Sequence, residues 1–154
     1  MRLYDLKVNH LSLPLGYRME RTVFSWKIDD VIGRREQSAR IRVASDEALT
    51  DILADTGDCE DADSLGTSVP LLLAPRTRYY WTVTVRTDAD EVKESEVQWF
   101  ETGKREESWE AQWITCDNSE RRHPIFERQI APEKDVRRAR LYVCGLGLYE
   151  ASYN

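Results

Sequence analysis

Residues 79–86 alternate strictly: Tyr79, Trp81, Val83 and Val85 hold one parity, and Tyr80, Thr82, Thr84 and Arg86 the other. A period of two puts the first set on one face of a strand and the second on the opposite face. The pattern therefore predicts a half-buried antiparallel strand with its aromatic and branched residues turned inward. Leu73, Pro75, Thr77 and Tyr79, at alternate positions, predict a turn into this strand in which the phenol hydroxyl bonds back to the turn backbone, a corner found in β-sandwiches.

Other stretches repeat the period. Residues 3–8 predict a strand, followed by a turn at Leu13-Pro14-Leu15-Gly16. Residues 23–28 predict another, with Phe24, Trp26 and Ile28 on one face and Trp26 in the core. After a polar connection, residues 38–44 predict a third strand, with Ile41 and Val43 inward and Arg40 and Arg42 outward. Ala48, Leu49, Ile52 and Leu53 recur at helical spacing behind a cap at Ser45 or Asp46, predicting a short helix over 46–54; an edge strand at 52–54 is the alternative. An acidic loop follows at 55–64. Residues 68–72 lead to the alternating strand, which 92–102 answer as a hairpin partner, with Val97 and Trp99 inward and a bulge at Trp99-Phe100.

Gly103 precedes a short charged stretch, Lys104-Arg105-Glu106-Glu107-Ser108, which reads as a linker between coupled domains. An extended aromatic segment follows at 109–114, then strands at 124–130 and 139–144. Residues 146–153 alternate Leu148, Glu150 and Ser152 against Tyr149, Ala151 and Tyr153. Asn154 then reads as the first half of a hairpin turn. The expected fold is all-β: a sandwich over 1–103, a linker at 104–108, and an incomplete set of strands over 109–154 that begins a second sandwich. About three strands cannot bury two faces by themselves. Residues 124–154 are accordingly expected to recruit further strands, including those of a second copy in a homodimer.

Composition narrows the function classes. Hydrophobic residues at 41% and five tryptophans suffice for a core, while a net charge of −6 argues against a nucleic-acid partner. The arginines at 34–35 and 137–140 sit among acidic residues in turns or strands and read as solvated surface. Three widely spaced cysteines, Cys59, Cys116 and Cys144, imply neither a disulfide framework nor a zinc site. No leader-like or membrane-spanning stretch is evident, so a cytoplasmic location with no membrane partner is expected.

Chemistry is sparse. The acidic run Asp55, Asp58, Glu60, Asp61 and Asp63 lacks the glycine and terminal glutamate of a calcium loop. His10 and His123 lack neighbouring ligands. Gly145-Leu146-Gly147 has too few glycines for a dinucleotide fingerprint and precedes strand-like sequence. No nucleophile elbow is present. Tyr80, Trp109, Trp113, Tyr142 and Tyr149 are able to stack on a sugar ring, but in strand context they read as packing residues. No catalytic, cofactor-binding or metal-ligating residue is assigned, no cofactor is expected, and no substrate-binding residue is identified.

Taken in order, Tyr4-Asp5-Leu6-Lys7-Val8-Asn9-His10, Phe24-Ser25-Trp26, Ile41-Arg42-Val43-Ala44-Ser45, Thr77-Arg78-Tyr79-Tyr80-Trp81-Thr82-Val83, Trp99-Phe100-Glu101-Thr102-Gly103 and Trp109-Glu110-Ala111-Gln112-Trp113-Ile114 resemble the N-terminus of bacterial α-L-rhamnosidases. So do residues 139–143 and 145–150. The resemblance implies a fibronectin type III-like module, then a jelly-roll β-sandwich, then an (α/α)-barrel carrying the acidic catalytic residues. None of the barrel's catalytic motif matches this chain. Asp58-Cys59-Glu60-Asp61 departs from the family pattern, where a more apolar strand segment is usual. The function implied is a non-catalytic accessory fragment that braces or positions downstream domains of the parent enzyme, which would meet rhamnose-containing glycans. A stand-alone carbohydrate-binding or protein-interaction module is the alternative.

Overall fold

The computed structural model describes residues 1–117 and 123–153. The chain divides into two units, Met1–Ala111 and Gln112–Asn154. The first holds nine strands: β1 (Arg2–Val8), β2 (Leu15–Tyr17), β3 (Val23–Asp29), β4 (Glu36–Ala44), β5 (Ile52–Asp55), β6 (Thr67–Ser68), β7 (Arg78–Thr87), β8 (Val92–Glu94) and β9 (Gln98–Thr102). One sheet runs β1-β3-β6. The other runs β2-β9-β7-β4-β5, with β8 also paired to β7. All pairs are antiparallel except the β2–β9 pair, which is parallel.

The alternation in β7 is realised as expected: Tyr79, Trp81, Val83 and Val85 are buried, and across the sheet from them lie Phe100, Val43, Ile41 and Ala39. Phe24 and Trp26 enter from β3, so the core is filled from both sheets, as the pleat requires. Phe24 sits at its centre, its ring 4.7 Å from Trp81 and 6.2 Å from Phe100, while Tyr79 stacks on Phe100 at 5.3 Å. These tilted and offset contacts suit the quadrupoles of aromatic rings.

The corner before β7 also forms. Tyr79 Oη accepts the Ala74 N–H at 2.7 Å, closing the turn on the strand that follows it. Tyr79→Phe keeps the ring and strips this donor of its partner, so a loss of about 1–2 kcal/mol is expected in urea denaturation. A change within a few tenths would assign the corner to packing alone.

Two local expectations are corrected. No helix forms over 46–54. Asp46 takes the N–H groups of Thr50 and Asp51 and the Thr50 hydroxyl, at 3.0, 2.8 and 2.8 Å. Those two amides would otherwise bond carbonyls one helical turn back, and Leu49 turns left-handed with φ 54°. The edge strand β5 takes the place of the helix and pairs with β4.

The partner of β7 is likewise not one continuous strand. Ser95–Val97 interrupt it, with the Ser95 N–H donating to the Val83 carbonyl at 2.9 Å and its hydroxyl accepting the Val83 N–H at 3.1 Å. This break resets the parity. Phe100, not Trp99, points inward, Val97 is exposed, and Trp99 lies on the outer face opposite Tyr80. The irregularity falls before Gln98 and not at Trp99-Phe100.

Trp26 Nε1 donates to Glu36 Oε2 at 3.0 Å, while Glu36 Oε1 is buried without a protein partner. Burial raises the Glu36 pKa above the ordinary 4.5; the tryptophan bond opposes this and nearby Asp63 adds to it. A carboxyl with a raised folded-state pKa contributes fully below its unfolded value, and that contribution is lost as pH rises through the folded value. Glu36→Gln keeps an acceptor for Trp26, so the stability of the variant relative to wild type is expected to grow between pH 4 and pH 8. A flat difference would mean that the carboxyl is solvated.

On the outer face Arg40 grips Asp55 through two bonds of 2.8 and 2.5 Å, holding the Asp55 pKa at about 2. Such partly exposed pairs add little to stability.

The strands expected at 109–114, 124–130, 139–144 and 146–153 are not formed: the described residues from 109 onward carry no regular secondary structure. A strand needs a hydrogen-bonded neighbour to satisfy its backbone, and a favourable side-chain pattern does not supply one. The turn expected at Asn154 lies outside the described residues. No helix among the described residues is long and apolar enough to cross a membrane.

Candidate functional site

The chain leaves the sandwich through a segment held by several bonds. Thr102, the last residue of β9, is wholly buried. Its hydroxyl donates to the Ala74 carbonyl at 2.7 Å and accepts the Thr77 N–H at 2.9 Å, tying the strand end to the tyrosine corner. Gly103 follows. Its N–H donates to the Tyr17 carbonyl at 2.7 Å, and its carbonyl accepts the Arg76 N–H at 2.9 Å. A Cβ at this position would lie 2.3 Å from the Gly16 carbonyl oxygen, so glycine is needed to let β2 come this close.

Beyond Gly103 the charged stretch is bonded to the sandwich. The Glu107 N–H closes a turn on the Lys104 carbonyl at 3.0 Å. Arg76 Nη2 donates to Glu107 Oε1 at 2.9 Å, and its Nε lies 2.7 Å from Oε2 as an ion pair. Arg18 reaches Glu106 at 2.7 Å, Arg105 donates to the Met19 carbonyl at 3.2 Å, and Lys104 lies 5.4 Å from the Trp109 ring centre. Each exposed pair is weak alone. Together they tie the exit segment to two loops and fix the direction in which the chain departs.

The groups weighed in the sequence are dispersed. Asp55 is committed to Arg40, and Asp63 accepts the Leu65 N–H at 2.8 Å in a local turn. No group of three or more His, Cys, Asp or Glu side chains able to hold a metal exists among the described residues. His10 and His123 are exposed, Cys59 is half-buried, and Cys116 and Cys144 are exposed; all three cysteines are free thiols. Trp109, Trp113 and Tyr149 are exposed in irregular segments and Tyr142 is half-buried, so they share no flat strand surface. Tyr80 does lie on the outer face of the larger sheet. Its neighbour Trp99 is capped there by the Arg78 guanidinium, 3.8 Å from the ring centre, and Arg78 is in turn held by the buried Glu101 at 3.1 Å.

The clamped exit was not visible as a site in the sequence, where the same charges read as a linker between coupled domains. Gly103, between Thr102 and a run of alternating charges, was the available signal.

Two packed sheets, a tyrosine corner and a parallel β2 beside β9 define an immunoglobulin-like β-sandwich. The chain belongs to the family described as the Rha78A-like, N-terminal immunoglobulin domain, whose model matches residues 3–106. It is 31% identical to an α-L-rhamnosidase of Formosa agariphila, over 96% of this chain and 19% of that protein. It is 34% identical to one of Streptomyces avermitilis, over 75% of this chain and 12% of that protein. Among solved structures, the Streptomyces avermitilis α-L-rhamnosidase complexed with L-rhamnose superposes with a TM-score of 0.68 at 31% identity, covering 76% of this chain and 12% of that one. The α-L-rhamnosidase from Dictyoglumus thermophilum gives 0.66 at 28% identity, covering 75% and 14%. The chain thus spans under a fifth of the length of the relatives it matches.

Proposed function

We propose that this chain is a non-catalytic N-terminal accessory part of an α-L-rhamnosidase-like glycoside hydrolase, and that it works by holding the following domains in position. The observation that carries the reading is the clamped exit. A chain that leaves a rigid sandwich through bonds from Arg18, Arg76 and Arg105 transmits the orientation of the sandwich to whatever follows it. Acid catalysis on a glycoside needs two carboxyl groups across a cleft, one of them with a raised pKa. Here the carboxyl raised by burial, Glu36, is bonded to a core tryptophan, and the acid near it, Asp63, is taken up in a local turn by the Leu65 N–H.

Two measurements test the reading. The purified chain is expected to release no product from an aryl α-L-rhamnoside, and turnover would overturn the non-catalytic assignment. Deleting the matching N-terminal segment from the Streptomyces avermitilis relative is expected to lower the melting temperature of its remaining domains. An unchanged melting temperature would remove the bracing role.

Homodimerisation through residues 124–154 belongs to the same proposal, supported by the exposure of Ile125, Ile130, Leu146 and Leu148. A concentration-independent monomer in light scattering would count against it.

A further inference from the structure

We propose that an open cleft folded from the β1–β3 connection binds a carboxylate-bearing sugar unit. The cleft measures about 780 Å³ and is lined by residues 9–11, 17–21 and 23. That volume falls in the range of small-molecule sites, roughly 300–1,000 Å³.

Its walls are fixed by the chain itself. Val8 and Leu11 exchange backbone bonds of 3.0 Å, and the Asn9 N–H donates to the Val23 carbonyl at 2.8 Å. The Asn9 side chain then ties one wall to the other, its Nδ2 donating to the Arg21 carbonyl at 2.8 Å and its Oδ1 accepting the Val23 N–H at 2.9 Å. Met19 lies buried in the lining, its carbonyl held by Arg105. A cleft already held in shape loses little conformational freedom when a ligand enters.

The cleft carries one guanidinium outside any ion pair although the chain as a whole carries −6. Arg18 is shared between Glu20 at 3.2 Å and Glu106 at 2.7 Å. The guanidinium outside any pair is that of Arg21, which lines the cleft, is exposed and has no ion-pair partner among the described residues; His10 is a further exposed lining residue. A guanidinium presents a planar fork that matches a carboxylate.

Beside these groups stands Tyr17, about half exposed at 51%, with no side-chain hydrogen bond among the described residues, and the apolar side chains of Leu11, Met19 and Val23. A bare anion has no use for the aromatic and apolar wall, and a neutral sugar leaves Arg21 unmatched. A pyranose with an apolar ring face and one carboxylate, such as a uronate, answers both. This site stands apart from the accessory role, which the activity and melting measurements address separately.

The test is a titration of the whole chain, followed by amide chemical shifts, with glucuronate, L-rhamnose and acetate as separate probes. Glucuronate is expected to produce saturable shifts confined to residues 9–23. Arg21→Gln should weaken it about tenfold, and Tyr17→Ala by roughly half that factor. Tyr17 is bonded to Gly103 through its backbone carbonyl, which the substitution leaves in place, so the sandwich should survive that change, as unaltered shifts elsewhere would show. Rhamnose and acetate should each bind more weakly than glucuronate. Any of three results would overturn the proposal: no saturation with glucuronate, binding no tighter than acetate or rhamnose, or full affinity in Arg21→Gln.

Discussion

Replacing Trp81 with alanine is expected to destabilise the sandwich by about 3–5 kcal/mol, the usual cost of emptying a buried aromatic site. Trp81 is 1% exposed, pairs in register with Val43 on β4 and Gln98 on β9, and holds its ring against Phe24. Truncation opens a cavity at the contact between the two sheets, where strands on both sides prevent collapse. Since domains of this size are stable by about 5–15 kcal/mol, the variant should be partly unfolded at modest urea concentrations. Its melting temperature should drop by about 15 °C or more, read by circular dichroism. A loss below about 1 kcal/mol would show that the core does not centre here.

Phenylalanine at the same place makes a sharper comparison. Trp81 Nε1 is buried without a protein partner, whereas Trp26 Nε1 bonds Glu36. Trp81→Phe removes volume together with an unsatisfied donor, while Trp26→Phe removes volume and strips a half-buried carboxylate of its donor. Trp26→Phe is therefore expected to cost more, by about 1 kcal/mol or more.

The second large effect falls at the exit. Gly103→Ala is expected to cost about 3 kcal/mol, at the upper end for forcing atoms into an occupied space. The new methyl carbon would lie 2.3 Å from a backbone oxygen of Gly16 and 3.0 Å from its carbonyl carbon, atoms that no rotamer change relieves. Either β2 separates from β9, losing the Gly103 to Tyr17 bond, or the exit segment shifts and Arg76 loses Glu107. Hydrogen exchange should locate the damage at residues 15–17 and 103–107, with the β4–β7 amides still protected. Gly66→Ala is the control. Its added carbon meets only Val23 Cγ1, at 3.1 Å, which a small side-chain adjustment relieves, so a change within about 1 kcal/mol is expected. Equal losses at both glycines would make the close approach of β2 irrelevant.

How far the sequence could be read depended on how local each cause was. The strands β1, β3, β4 and β7 were legible because each carries several alternating apolar residues, and sidedness follows from the pleat alone. The tyrosine corner was legible for the same reason, its partners lying five residues apart. The segment at 46–54 misled because Ala48, Leu49, Ile52 and Leu53 fit a helical period, whereas the Asp46 carboxylate captured the amides that a helix needs. Val97 and Trp99 were assigned to the wrong face because the break at 95–97 is set by Val83 on the neighbouring strand. Residues 109–153 were legible as strand-like pattern only, since pairing is decided by a neighbour that pattern does not provide.

By itself, then, the order of residues determined an all-β chain, the inward sets of its principal strands and the family it belongs to. Those follow from side-chain parity and from motif order, which are written along one dimension. Tertiary structure alone decided that β2 lies parallel to β9 against a bare glycine, that arginines from two distant loops clamp the exit, and that Asn9, Tyr17 and Arg21 enclose one cleft. Each of these joins groups through space at distances set by the packing of two sheets, and no periodicity in the chain encodes such a distance.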